Sequence, residues 1–135
     1  MPLLHLHIAA RHDPALAERA AAVVHRHTVE QLGKRSELIA VSVSFVDPGT
    51  WFIGGRALAG SGRRSFALEV KVTDETNTKA EKVDFIAAVF ASLEDCLGPL
   101  HAESYVHVHD ARAAAYGYGG RTQEWRHHRS AVTQA

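Results

Sequence analysis

Apolar and polar residues alternate at the start of the chain. Leu4, Leu6 and Ile8 are set against His5 and His7, the period-two pattern of a half-buried strand. Asp13 followed by Pro14 marks a helix start, an N-cap side chain ahead of a residue that has no amide hydrogen to lose. Leu16, Ala20, Val23, Val24 and His27 then recur at helical spacing, and Gly33 is suited to a helix stop. Alternation returns from Leu38, with Val41, Val43 and Phe45 against Ser42 and Ser44. The second half runs through the same order. Phe66, Leu68, Val70 and Val72 alternate with Ala67, Glu69 and Lys71; a polar turn from Asp74 to Thr78 opens a helix striped by Val83, Ile86, Phe90, Leu93 and Leu97. Gly98 and Pro99 end it, and Val106 and Val108 alternate with Tyr105, His107 and His109.

The halves superpose by offset. At 64 residues Leu4, Leu6 and Ile8 fall on Leu68, Val70 and Val72. At 65 residues Val41 and Val43 fall on Val106 and Val108, and Gly54-Gly55-Arg56 falls on Gly119-Gly120-Arg121. The expectation is one domain over 1–135, with pseudo-repeats at about 2–60 and 65–122 and a C-terminal tail at 123–135. Each strand-helix-strand unit calls for a right-handed crossover with parallel strands. The predicted fold class is therefore α/β in the two-layer α+β sense: a tandem β-α-β repeat forming a four-stranded mixed sheet with two helices on one face. The other face carries His5, His7, Ser42, Ser44, Glu69, Lys71, His107 and His109. Parallel pairs are rarely left open to water on one side, so this polar face predicts a closed cyclic oligomer around a wet axis.

Composition changes that picture little. Lys plus Arg balances Asp plus Glu at 15 each among 135 residues, which offers no electrostatic case for a nucleic-acid or membrane partner. Ten histidines make the charge sensitive to pH just below neutrality. Cys96 is the single cysteine, so no disulfide can form within the chain. No apolar run approaches the length of a membrane helix, and a cytoplasmic location is the expectation.

A proline at position 2, the doubled strand-helix-strand unit and the Gly-Gly turns together resemble the tautomerase superfamily, which includes 4-oxalocrotonate tautomerase, macrophage migration inhibitory factor and cis-3-chloroacrylic acid dehalogenase. The stretches "VSVSFVDPGTWFIGG" (Val41 to Gly55), "YVHVHD" and "GYGGRTQEW" look most like the dehalogenase branch. The resemblance implies a homotrimeric barrel, no cofactor, and removal of Met1 to leave Pro2 as an N-terminal secondary amine. Such an amine suits general-base chemistry, because an α-amino group titrates near 7.7 to 8.0 and apolar surroundings lower that value further. The implied activity is Pro2-dependent keto-enol or double-bond isomerisation of a small 2-oxo or 2-hydroxydienoate-like organic acid.

Further candidates surround that base. His107 is an auxiliary proton donor; Arg11, just after the first strand, is a carboxylate binder; Trp51 is a pocket wall; Tyr118 is a substrate contact. Arg56, Arg63 and Arg64 are alternative anion binders. The chain departs from the dehalogenase pattern where Asp74 and Asn77 stand in place of paired arginines and Tyr118 in place of a water-activating carboxylate. The helix-1 histidine of that branch falls on Thr28, with His27 beside it. These departures favour proton transfer over hydrolysis, with a haloacrylate dehalogenase or hydratase and a non-catalytic trimeric binding protein as alternatives. His5-x-His7 and His107-x-His109 place imidazoles on one side of a strand, yet polar-face alternation explains that spacing and no metal is expected.

Overall fold

The computed structural model describes residues 2–134. Strand β1 (Leu3–Ala9) leads into helix α1 (Pro14–Glu30), and strand β2 (Ala40–Val46) returns beside β1 in parallel, Leu4 against Val41 and Leu6 against Val43. A short hairpin of β3 (Phe52–Ile53) and β4 (Arg56–Ala57) follows. Gly54 and Gly55 turn it at φ of 60° and 76°, the left-handed region that a two-residue hairpin of this hand demands. The second half consists of β5 (Phe66–Thr73), α2 (Lys79–Leu97), β6 (Tyr105–Ala111) and a hairpin of β7 (Gly117–Tyr118) and β8 (Arg121–Thr122). β2 and β6 start at Ala40 and Tyr105, and the hairpins at Phe52 and Gly117, so the elements recur at an offset of 65 residues.

Local chemistry accounts for the helix boundaries. The Asp13 carboxylate accepts from the Leu16 amide at 3.1 Å, so α1 begins at Pro14. Thr78 and Glu81 form a reciprocal capping box at the start of α2, with bonds of 3.1 and 2.7 Å. α1 ends at Glu30, ahead of Gly33, and Ser36–Leu38 form a single 3-10 turn, so β2 starts two residues later than alternation from Leu38 suggests.

The sheet order is β2-β1-β5-β6, with β1 and β5 antiparallel and the two outer pairs parallel. This is the mixed four-stranded sheet that the repeat calls for. Leu4, Leu6, Ile8, Phe66, Leu68, Val70 and Val72 point into the helical layer and are buried against Leu16, Val24, Phe85, Val89 and Leu93. Each such side chain contributes about 1.5–3 kcal/mol on leaving water. On the other face Ser42, His5, Glu69 and His107 lie in one register row across all four strands. His5 and His7 are steered by hydrogen bonds between their Nδ1 atoms and the hydroxyls of Ser42 and Ser44 at 2.5 and 2.6 Å, while His107 and His109 stack with ring centroids 3.7 Å apart.

Two regions differ from expectation. Residues 123–134 of the expected tail form a third helix, α3 (Gln123–Gln134). It is started by the Thr122 hydroxyl, which accepts from Trp125 N at 3.0 Å, and by Gln123 N donating to Tyr116 O at 2.8 Å. With no apolar stripe of its own, this helix is held by polar and cation-π contacts that hydrophobic periodicity cannot reveal. Position 27 is the second. His27 is buried between α1 and α2, Nδ1 at 2.7 Å from Gln31 Oε1 and Nε2 at 2.7 Å from Ser92 Oγ, and the fully buried Thr28 donates its hydroxyl to Val24 O. Of these bonds, only that between His27 and Ser92 joins the two helices; the Thr28 bond stays within α1. No helix among the described residues is long and apolar enough to cross a membrane.

Removing the imidazole in His27→Ala strips its bond to Ser92 across the helices together with its bonds to Gln31 and Arg26 on its own segment, and is expected to lower unfolding free energy by about 2 kcal/mol; Ser92→Ala removes only the partner across the helices and costs about 1 kcal/mol. Urea unfolding curves check both, and midpoints equal to the natural protein's contradict this account.

Candidate functional site

Pro2 is buried, and its carbonyl accepts from Ala40 N at 3.2 Å, which continues the β1–β2 ladder to the first described residue. Met1, on whose removal the amine depends, lies outside the described residues. Because β5 runs antiparallel to β1, its C-terminal end at Thr73 arrives beside the start of β1. A cavity of about 570 Å³ opens at this end, lined among others by Lys34, Leu38, Thr73, Tyr118, Gln123 and Arg126. Pro2 is adjacent to this lining and not part of it.

Two cations stand in the less exposed part of the cavity. Lys34 follows the turn at Gly33, and its ammonium donates to Thr76 Oγ1 at 2.9 Å, while the Thr76 hydroxyl bonds to Thr73 O. Burial pushes the Lys34 pKa below its ordinary 10.5, and the negative charges of Glu81 and Asp110 oppose that shift. Arg126 comes from α3. Its guanidinium lies 3.8 Å over the Tyr118 ring, Nη2 donates to Tyr118 O at 2.9 Å, and Nε is buried without a partner. Tyr118 is thus a platform for an arginine. Glu75 and Glu124, also on the lining, are exposed, while Asp74 on the same lining is half-buried like the two cations. Tyr116 lies behind this hairpin, its hydroxyl buried and unpartnered, and burial raises its pKa.

The Asp74 to Thr78 turn frames the same end without supplying a cation. Asp74 N donates to Ala111 O at 2.8 Å, and Asn77 Nδ2 donates to Leu32 O at 2.9 Å while Asn77 Oδ1 stays buried and unpartnered. A neutral amide tied to the end of α1 offers no guanidinium fork for a carboxylate.

The remaining candidates lie elsewhere in the chain. Arg11 follows the far end of β1, roughly 20 Å from Pro2 at about 3.3 Å of rise per residue. Trp51, whose carbonyl accepts from Leu58 N at 2.8 Å, lies at that far end too. His107 is exposed on the edge strand β6, on the open sheet face beside Glu69. Within one chain, then, Pro2 and Tyr118 share an end, Arg11 and Trp51 share the other, and His107 joins neither. Lys34 and Arg126 are absent from the candidates read from sequence. Nothing local distinguishes a lysine after a helix stop from a solvated one, and Arg126 stands in a run of charged residues with no apolar phase.

No protein-family model matches the sequence, and no curated protein matches it. Solved structures do match in shape. One described as a fused 4-OT wild-type asymmetric trimer aligns with a TM-score of 0.77 at 18% identity, over 92% of this chain and 98% of that one. The crystal structure of Pt0534 inactivated by 2-oxo-3-pentynoate aligns at 0.80 with 15% identity, over 92% and 98%. Macrophage migration inhibitory factor from Toxoplasma gondii aligns at 0.73 with 17% identity, over 89% and 98%. At such identities the likeness is one of fold: this chain shares the architecture of 4-OT and macrophage migration inhibitory factor structures over 89 to 92% of its length.

A half-buried ammonium sheds its proton at lower pH than a solvated one. The Lys34 side chain is expected to titrate below the exposed lysines when followed by carbon-13 NMR at its Cε. Because its folded pKa is lowered, protonated Lys34 opposes folding, and that penalty is relieved as pH rises through the folded value toward 10.5. Titration together with the other lysines contradicts the placement.

Proposed function

We propose that this chain is a tautomerase that works without a cofactor, taking a small 2-oxo or 2-hydroxydienoate-like acid as substrate and Pro2, freed from Met1, as its general base. The observation that carries the reading is the placement of Pro2. It begins the strand next to the sheet's centre line, is buried, and adjoins a cavity whose inner wall holds an ammonium and a guanidinium. Fold likeness to proteins described as 4-OT supports it.

The chemistry follows from those groups. A neutral secondary amine removes a proton from the enol oxygen or the α-carbon of the substrate and returns it to another atom, and ring closure restricts the nitrogen's orientation. Lys34 and the free edge of Arg126 hold the substrate carboxylate and stabilise the negative charge that develops on the oxo oxygen. Desolvation makes both interactions stronger than they are in bulk water. Tyr118 positions Arg126 through its ring and carbonyl.

The active form is a closed trimer. Three observations support it: a mixed sheet with one face packed by helices, an opposite face carrying a histidine-rich row, and neighbours described as trimers. A trimer closed through that face brings His107 of one copy toward the axis and gives it access to a neighbouring copy's site, the role of auxiliary that it cannot fill within its own chain. Asp74 and Asn77, which leave the β5–α2 turn without a cation, weigh against hydrolytic dehalogenation.

Intact mass of the purified protein is expected to lack the initiator methionine, and sedimentation is expected to show three chains. Pro2→Ala should lower kcat/KM for ketonisation of phenylenolpyruvate by about 100-fold or more while leaving the trimer intact. Halide release from 3-haloacrylates should be absent. Unchanged turnover in Pro2→Ala overturns the assignment, and a Met-free trimer with no activity on any enol favours a binding role on the same scaffold.

A further inference from the structure

A second cavity, of about 790 Å³, opens at the opposite end of the sheet, where β1 ends and β5 begins. It is the internal repeat's copy of the first. At the offset of 65 residues Pro99 stands for Lys34, Pro48 for Ala113, Leu58 for Gln123 and Arg11 for Thr76, and every pair but Pro48 and Ala113 differs in polarity or charge. Each of these residues lines its own cavity. The antiparallel β1–β5 pairing therefore builds the same pocket twice, once at each end, from two copies of one unit.

We infer that this second cavity is a non-catalytic binding site for small oxyanions, carboxylate or phosphate. The base is missing: at the offset of 64 residues Pro2 corresponds to Phe66, which is fully buried and whose nitrogen is an ordinary strand amide. Positive charge replaces it. Arg11 is exposed on the lining and has no hydrogen-bonding or ionic partner among the described residues. Arg63 and Arg64 each donate one Nη1 to a carbonyl near the end of α2, Leu100 O at 2.9 Å and Leu97 O at 3.2 Å. Those bonds hold both guanidinium groups and leave their other N–H groups for a ligand.

The acids on this lining do not cancel that charge. Asp13 and Asp47 keep their negative charge but are turned to the amides of Leu16 and Gly49, at 3.1 and 2.7 Å, so the three arginines leave the lining with an excess of positive charge. Three guanidinium groups converge on a space large enough for a small organic ion and aim donors in the planar fork that carboxylate and phosphate oxygens accept. Pro2 and Arg11 stand at opposite ends of one sheet. Occupancy of the second end needs no proton transfer, so the inference does not depend on Pro2 acting as a base.

Calorimetry on the full-length protein with malonate and with inorganic phosphate tests it. Lys34→Ala disables the carboxylate holder of the first cavity and isolates the second, and in that variant either probe is expected to bind at one site per chain; malonate alone assigns the site to carboxylates, phosphate alone to phosphate groups. Arg11→Ala added to it, which removes a side chain with no internal hydrogen bond or ion pair, should weaken that binding about 10-fold or more, as loss of a charge-assisted bond does. Arg63→Lys keeps the charge but not the fork and should weaken it less. Pro2→Ala should leave it unchanged. Unaltered affinity on adding Arg11→Ala, or no heat with either probe at millimolar concentration in Lys34→Ala, overturns the inference.

Discussion

The antiparallel pairing of β1 with β5 is the constraint on which the rest of this molecule depends. Six register pairs, from Leu3 with Lys71 to Ile8 with Phe66, join two strand-helix-strand units that each leave one sheet edge unsatisfied alone. The pairing makes a single helical layer, because it sets the Leu4 and Leu68 stripes on the same face and lets α1 pack on α2. It also sets the molecule's two ends. Had the units joined in parallel, Pro2 would lie beside Phe66; joined as they are, Pro2 meets the end of β5 and Arg11 meets its beginning.

Duplication with a reversal of direction explains how one chain holds two pockets of common outline and different chemistry. Where Pro2 begins, the second unit contributes a threonine-rich turn and the β7–β8 hairpin with α3, and the first contributes Lys34. Where Arg11 ends the first strand, the linker contributes two arginines anchored on carbonyls at and just beyond the end of α2. The helix-helix contact is polar at the last turn of α1, through His27 and Ser92, in an otherwise apolar layer. A buried hydrogen-bonded imidazole restricts how the helices slide, since any shift leaves its nitrogens unmatched.

The elements themselves were readable from the chain to within a few residues. Alternation found all four long strands, Asp13-Pro14 and Thr78 found both helix starts, and the Gly-Gly pairs marked a turn after each unit's second strand, since each of these signals acts over a handful of neighbouring residues; the short strands that flank those turns were not read from the chain. α3 was not readable, because Arg126 on Tyr118 and Arg121 over Trp125 hold it by contacts with no periodic signature. Of the candidate site, Pro2 and Tyr118 were legible as members of one end. Lys34 was not, since its half-burial comes from packing near the Asp74 to Thr78 turn, about forty residues away along the chain.

Sequence alone determined what each face and turn is made of: which side chains enter the core, which stay polar, and that the unit occurs twice. Periodicity and capping are local, so composition along the chain encodes them directly. Tertiary structure decided which ends meet. The direction of β5 against β1, the lodging of His27 between helices, and the separation of Pro2 from Arg11 all arise from contacts across the sheet. Such contacts depend on how distant segments satisfy each other's hydrogen bonds and apolar surface, and no short stretch of the chain carries that information.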